Sequence, residues 1–165
     1  MSTTKSGQIR LEGEKRKKAN KKLITSLKQR TPGNLDNQVH ALHEEVFATM
    51  DCLDCANCCK TTSPAVYETD IDRLSKGLRM KPSEVIAKYL KRDDEGDWIM
   101  NASPCPFLLE DNRCSVYEDR PRACRTYPHT DRKKVAQLLD LTYRNSFICP
   151  AVQQILQKLE LSLLK

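Results

Sequence analysis

Three features of this 165-residue sequence predict a mainly α fold with one small, irregular β-hairpin. Apolar residues recur at helical spacing before, between and after its cysteine-rich segments. Two short apolar runs, Cys105-Pro106-Phe107-Leu108-Leu109 and Cys114-Ser115-Val116-Tyr117, flank the turn Glu110-Asp111-Asn112-Arg113 and read as a hairpin. Four of the eight cysteines fall within the eight residues Cys52-Leu53-Asp54-Cys55-Ala56-Asn57-Cys58-Cys59. The 39% hydrophobic content counts those cysteines and includes only three Phe and one Trp, so the core is thin. Metal–thiolate bonds then supply folding free energy that packing does not, and the expected fold is a small, metal-stabilised cysteine-cluster domain.

From the N-terminus, residues 1–8 are polar and are expected to be disordered. Ile9 to Arg30 is helix-compatible and lysine-rich, with a broken apolar row at Ile9, Leu11, Leu23, Ile24 and Leu27. Residues 1–30 hold ten Lys or Arg against Glu12 and Glu14, a net of +8, which leaves −2 for the remainder of the chain. A solvated helix or frayed tail is the plainer reading, and nucleic-acid contact through phosphate neutralisation is a weaker one. Thr31-Pro32-Gly33-Asn34 ends the segment. The expected division is a basic helical or disordered tail over 1–33 and a cysteine-cluster metal-binding domain with C-terminal helices over 34–165.

Leu35, Val39, Leu42, Val46 and Met50 predict an amphipathic helix over 35–50 that delivers the chain to the cysteines. His40 and His43 lie on it beside Glu44 and Glu45, read as a solvated face, and are left out of the site. Thr69 is expected to cap the next helix, with Asp72 at its third position, Leu74 and Leu78 on its buried side and Gly77 near its end. A further helix covers 83–91, with Val85, Ile86, Tyr89 and Leu90 apolar. The acidic turn Asp93 to Asp97 lacks the ligand spacing of an EF-hand loop and leads into Trp98-Ile99-Met100, a short strand. Val135 to Leu141 and Ala151 to Leu164 are helical by periodicity, with Ile155, Leu159 and Leu163 facing a core.

Thiolates are soft anionic ligands, and a C-x2-C step lets two of them converge on one ion. Cys52, Cys55 and Cys58 supply three sulfurs from one loop. Adjacent Cys58 and Cys59 diverge, so one is expected at the shared site while the other serves a second site, bridges, or stays a thiol. Further ligands come from Cys105, Cys114, Cys124 and Cys149. Met1 to Gly13 lacks the apolar core of a signal peptide, so a cytoplasmic setting without disulfides is expected. No apolar run approaches the roughly 18–20 residues of a membrane span. Arg120, Arg122 and Arg125 flank Cys124 and can offset thiolate charge, although Arg122 could equally pair with Glu118 and Asp119.

Cys52-x2-Cys55-x2-Cys58-Cys59, Cys105-Pro106-Phe107-Leu108, Cys114-x-Val116-Tyr117 and Arg120-Pro121-x2-Cys124-Arg125-x-Tyr127-Pro128 together resemble the YkgJ-like cysteine-cluster family. That family is described as carrying a zinc- or iron-chelating CxxCxxCC domain. The resemblance covers about residues 50–128 and implies metal chelation by Cys52, Cys55, Cys58, Cys59, Cys105, Cys114 and Cys124, with Arg120 and Arg125 as cofactor-facing motif members. His129 stands where an aromatic or apolar residue is more usual and is read as a surface histidine. A similar cluster occurs in flagellin lysine methylases, but this chain has no glycine-rich nucleotide loop.

Zinc and iron both fit. The C-x2-C-x2-C loop and the Cys149-Pro150 pair partly match a bacterial iron–sulfur pattern, whereas C-x2-C and a second loop carrying Cys105 and Cys114 suit zinc. The function expected is metal binding with a structural, metal-handling or electron-transfer role and a protein partner for the tail or last helix. The alternative is an enzyme of redox or methyl-transfer chemistry that uses the cluster or a thiol. No Ser-His-Asp set, P-loop or HExxH site is present, which favours the non-catalytic class.

Overall fold

A computed structural model describes residues 5–163. In chain order the elements are α1 (Lys5–Gln29), α2 (Leu35–Phe47), α3 (Asn57–Thr61), α4 (Glu68–Leu78), α5 (Pro82–Tyr89), β1 (Leu90–Arg92), β2 (Trp98–Met100), α6 (Arg122–Thr126), α7 (Leu139–Asn145) and α8 (Pro150–Leu163). Single 3-10 turns lie at Cys52–Asp54, Tyr117–Asp119 and Val135–Leu138. The fold is mainly helical with a small two-stranded sheet, as the periodicities predict. The chain forms two compact units, one made of Met1–Cys52 with Pro128–Lys165 and the other of Leu53–Tyr127.

The first unit is a helical core. Leu23, Ile24 and Leu27 of α1, Leu35, Val39 and Val46 of α2, Leu139 of α7, and Ala151, Val152, Ile155, Leu156 and Leu159 of α8 form one buried cluster. The segment 5–29 is therefore neither frayed nor solvated on all sides, because its sparse apolar row is enough to seat one face. Small and polar residues complete that seat. A Cβ on Gly13 would stand 2.9 Å from the Ser146 carbonyl oxygen and the Phe147 Cα, so α1 passes the 146–147 backbone at a distance that only glycine permits. The buried Gln153 amide donates to the carbonyls of Ile9 and Ser146, both at 2.8 Å. The turn at Thr31-Pro32-Gly33-Asn34 joins α1 to α2 within this unit. Residues 1–4 of the expected disordered stretch, and Leu164, lie outside the described residues. Leu163 is 41% exposed and does not join the core expected of it: α8 runs on to Leu163, but its last turn, residues 161–163, is exposed.

The second unit has its own core of Val66, Ile71, Leu74, Val85, Leu90, Met100, Phe107 and Val116, with Cys105 and Cys114 packed against it. Strands β1 and β2 pair antiparallel, Leu90 with Met100 and Arg92 with Trp98. Asp93 closes the acidic turn, its carboxylate accepting from the Glu95 and Asp97 amides at 3.0 and 2.8 Å. The regular hairpin thus spans this turn, while 107–115 is a tighter loop held by one bridge, Leu108 to Cys114. Helix α4 starts two residues earlier than expected, at Glu68 with Tyr67 as its cap. Its entering amide, Tyr67 N–H, donates at 3.0 Å to Asp70, so Asp70 occupies the capping position assigned to Asp72. Gly77 lies inside α4, where a Cβ would meet the Asp119 carboxylate at 2.1 Å, and Arg79 in the left-handed region ends the helix.

Candidate metal centre

Ala56 adopts a left-handed backbone (φ 44°) that turns the chain from Cys55 into the single turn of α3. Thr61 and Thr62 hydroxyls donate to the Asn57 and Cys58 carbonyls at 2.7 and 2.6 Å, and the Lys60 ammonium donates to the Cys55 carbonyl at 2.9 Å. These bonds fix Cys58 and Cys59, whose sulfurs are 3.9 Å apart, within thiol hydrogen-bond reach. Cys105 is tied to the same loop through its amide, which donates to the Cys59 carbonyl at 2.8 Å. Cys114 sits opposite Leu108, with Ser115 N–H donating to the Phe107 carbonyl at 2.8 Å.

Cys124 rides on α6, and the buried Asp70 holds the start of that helix. Its carboxylate accepts from the Arg122 amide at 2.9 Å, from the Tyr67 amide and from the Arg73 guanidinium, which also reaches the Arg120 carbonyl. Arg125 braces the same loop, donating to the carbonyls of Arg120 and Glu118 at 3.0 and 2.7 Å. Arg120 stacks on the Tyr117 ring, 3.6 Å from its centroid.

The thiols feel one another. Hydrogen bonding from Cys58, reinforced by the Lys60 charge against the opposing effect of burial, lowers the Cys59 pKa to about 7. Burial, then the charges of Cys59, Cys105 and Cys114, push Cys124 up to about 12, with Arg120 opposing. Cys105 and Cys114 are raised by burial first and by Cys59 as well. Four sulfurs from three loops are thus close enough to oppose each other's ionisation. A soft cation among them would reverse that penalty, so the donor set suits zinc or iron in its chemistry. Among the described residues no three Cys, His, Asp or Glu side chains stand in a geometry that would hold an ion.

The other expected residues fall as follows. Cys55 is half-buried in the same loop, and Cys52 is exposed at the end of the first unit. Cys149 packs against the first unit's helical core, its amide donating to the Asn145 carbonyl at 2.8 Å. Arg120 acts on Cys114 and Cys124, whereas Arg125 braces backbone. His40 and His43 are half-buried, not solvated, and meet the Arg132 carbonyl and the Thr130 hydroxyl at 2.9 and 2.8 Å. His129 is also half-buried, with its pKa lowered by burial and then by Arg132. Sequence reading missed Asp70, Arg73 and Lys60. Only Lys60, next to Cys59, carried a local signal.

Among the described residues no disulfide joins any cysteine, and no helix is long and apolar enough to cross a membrane. The CxxCxxCC family model, described as "Putative zinc- or iron-chelating domain", matches residues 51–146. No solved structure matches the chain.

Proposed function

Because the chain belongs to the CxxCxxCC family, we propose that Leu53–Tyr127 is a thiolate metal module in which Cys59, Cys105, Cys114 and Cys124 hold one zinc or iron ion. The observation that carries this reading is the tie between the cysteine segments, the Cys105 amide donating to the Cys59 carbonyl at 2.8 Å, and the raised pKa values of Cys105, Cys114 and Cys124, to which Cys59 contributes, agree with it. A bound cation supplies the positive charge that turns buried thiols into thiolates. The chain's own residues do the rest. The α3 turn presents Cys59, the Cys105 amide anchors its segment to Cys59, and Asp70 seats the helix that carries Cys124. Arg120 offsets the accumulated negative charge. Cys55 and Cys58 remain as donors for a second ion or an iron–sulfur cluster. The role is structural or metal-handling in a reducing, cytoplasmic setting, where the sulfurs stay unoxidised. Electron transfer requires iron, since zinc has no redox chemistry.

Cobalt titration of the apoprotein tests the ligand set. Thiolate-to-cobalt charge-transfer bands should grow in the wild type and in Cys149→Ser, and collapse in Cys59→Ser and Cys124→Ser. Undiminished bands in the last two variants, or none in the wild type, would refute the assignment.

A further inference from the structure

One open groove lies away from the cysteines. It is an open depression of about 530 Å³ lined by Lys18, Lys21, Lys22, Thr25, Ser26 and Gln29, all exposed on one face of α1. The lysines of α1 divide into two sets. Lys15, Lys17 and Lys28 are paired with Glu12, Glu14 and Asp140. Lys18, Lys21 and Lys22 have no hydrogen bond or ion pair among the described residues, and no carboxylate lines their groove. The helix cannot roll to hide this face, because Leu23, Ile24 and Leu27 are locked in the core on the other side and Gly13 passes against backbone. A rigid row of unpaired ammonium groups continues into two hydroxyls and an amide, all donors.

We propose that this α1 face binds the phosphodiester backbone of nucleic acid. Lysine, serine, threonine and glutamine are donors that position phosphates, and Lys18 to Gln29 spans about 16 Å at 1.5 Å per residue, roughly five phosphates of one duplex strand. The groove offers no aromatic or large apolar side chain. Membrane insertion and a protein hot spot both depend on such groups, so those partners fit the face less well. No arginine lines it for bidentate reading of guanine, so binding is independent of base sequence.

The test is fluorescence anisotropy of the full chain with short mixed-sequence DNA duplexes, alongside anionic phospholipid vesicles. Neutralising three phosphates should weaken binding at least about 40-fold between about 50 and 200 mM salt, equally for unrelated sequences. The exposed triple variant Lys18→Gln, Lys21→Gln, Lys22→Gln should lose at least about tenfold in affinity and flatten the salt slope by about 2.7. The control Lys15→Gln, Lys17→Gln, Lys28→Gln makes the same change in charge at paired lysines and should bind within about threefold of wild type. Circular dichroism checks that both variants are folded. Equal losses in the two triples would overturn the proposal, as would vesicle binding without duplex binding, or no duplex binding at about 50 mM salt.

Discussion

Asp70 is wholly buried and accepts from two amides and one guanidinium, which makes it the most committed polar residue of the second unit. Removing the carboxylate leaves those donors facing a dry pocket. Asp70→Ala should cost about 3 kcal/mol in urea unfolding, since charged buried bonds are lost and their partners stranded. It should also weaken cobalt binding, because the Cys124 helix loses its seat; unchanged stability and affinity would show that Asp70 does not hold the loop. In the first unit Asp36 accepts from the Lys134 and Val135 amides at 2.7 and 2.9 Å. Those two bonds, Lys134 first, hold its pKa below the ordinary value. A depressed carboxylate stabilises above its unfolded pKa of about 3.9 and loses that contribution as pH falls through the folded value. Melting temperatures of wild type and Asp36→Asn should therefore differ near neutral pH and converge in acid. A gap independent of pH would contradict the bond pattern. Neither residue was legible as a hub: Thr69 and Asp72 offered an equally good cap, and the partners of Asp36 lie about a hundred residues away.

Among the elements, the helices of 35–47, 68–78, 82–89 and 150–163 were legible because each carries a full apolar stripe and a recognisable start. The β-hairpin was harder to place. The 105–117 segment has the apolar arms of a hairpin, yet the regular ladder formed at 90–100, where Leu90-Lys91-Arg92 pairs with Trp98-Ile99-Met100 across a turn that contains Gly96 and is closed by Asp93. Helix α1 was the least legible. Its apolar row is too sparse to predict burial, and its seat depends on Gly13, whose contact with residues 146–147 no local pattern reveals. Gly13→Ala isolates that contact. Alanine gains up to about 1 kcal/mol of helix propensity, but overpacking against backbone costs about 1–3 kcal/mol. A net loss of about 1–2 kcal/mol in thermal unfolding is expected. Stabilisation would mean that α1 is not held against that backbone. Truncation of residues 1–30 should unfold the first unit for the same reason, because Leu23, Ile24 and Leu27 leave its core.

At the scale of the whole molecule the two units draw stability from different sources. The first has thirteen buried apolar residues in its cluster, and the second has eight with partly buried thiols against them. Metal binding coupled to folding should matter mainly to the second. Hydrogen exchange with and without a chelator should show amides of 53–127 losing protection while those of α2 and α8 keep theirs; uniform loss would make metal a requirement for both. The cysteine spacing made the chelating family legible at once, while the proposed grouping of Cys59 with Cys105, Cys114 and Cys124 needed the fold, since three loops separated by tens of residues would supply it. Elemental analysis of anaerobically purified protein, with acid-labile sulfide measured on the same sample, tests the central claim most directly. The account predicts at least one zinc or iron per chain, colourless and sulfide-free for zinc, with absorbance and sulfide if an iron–sulfur cluster is bound. A stably folded, metal-free protein with eight titratable thiols would contradict it.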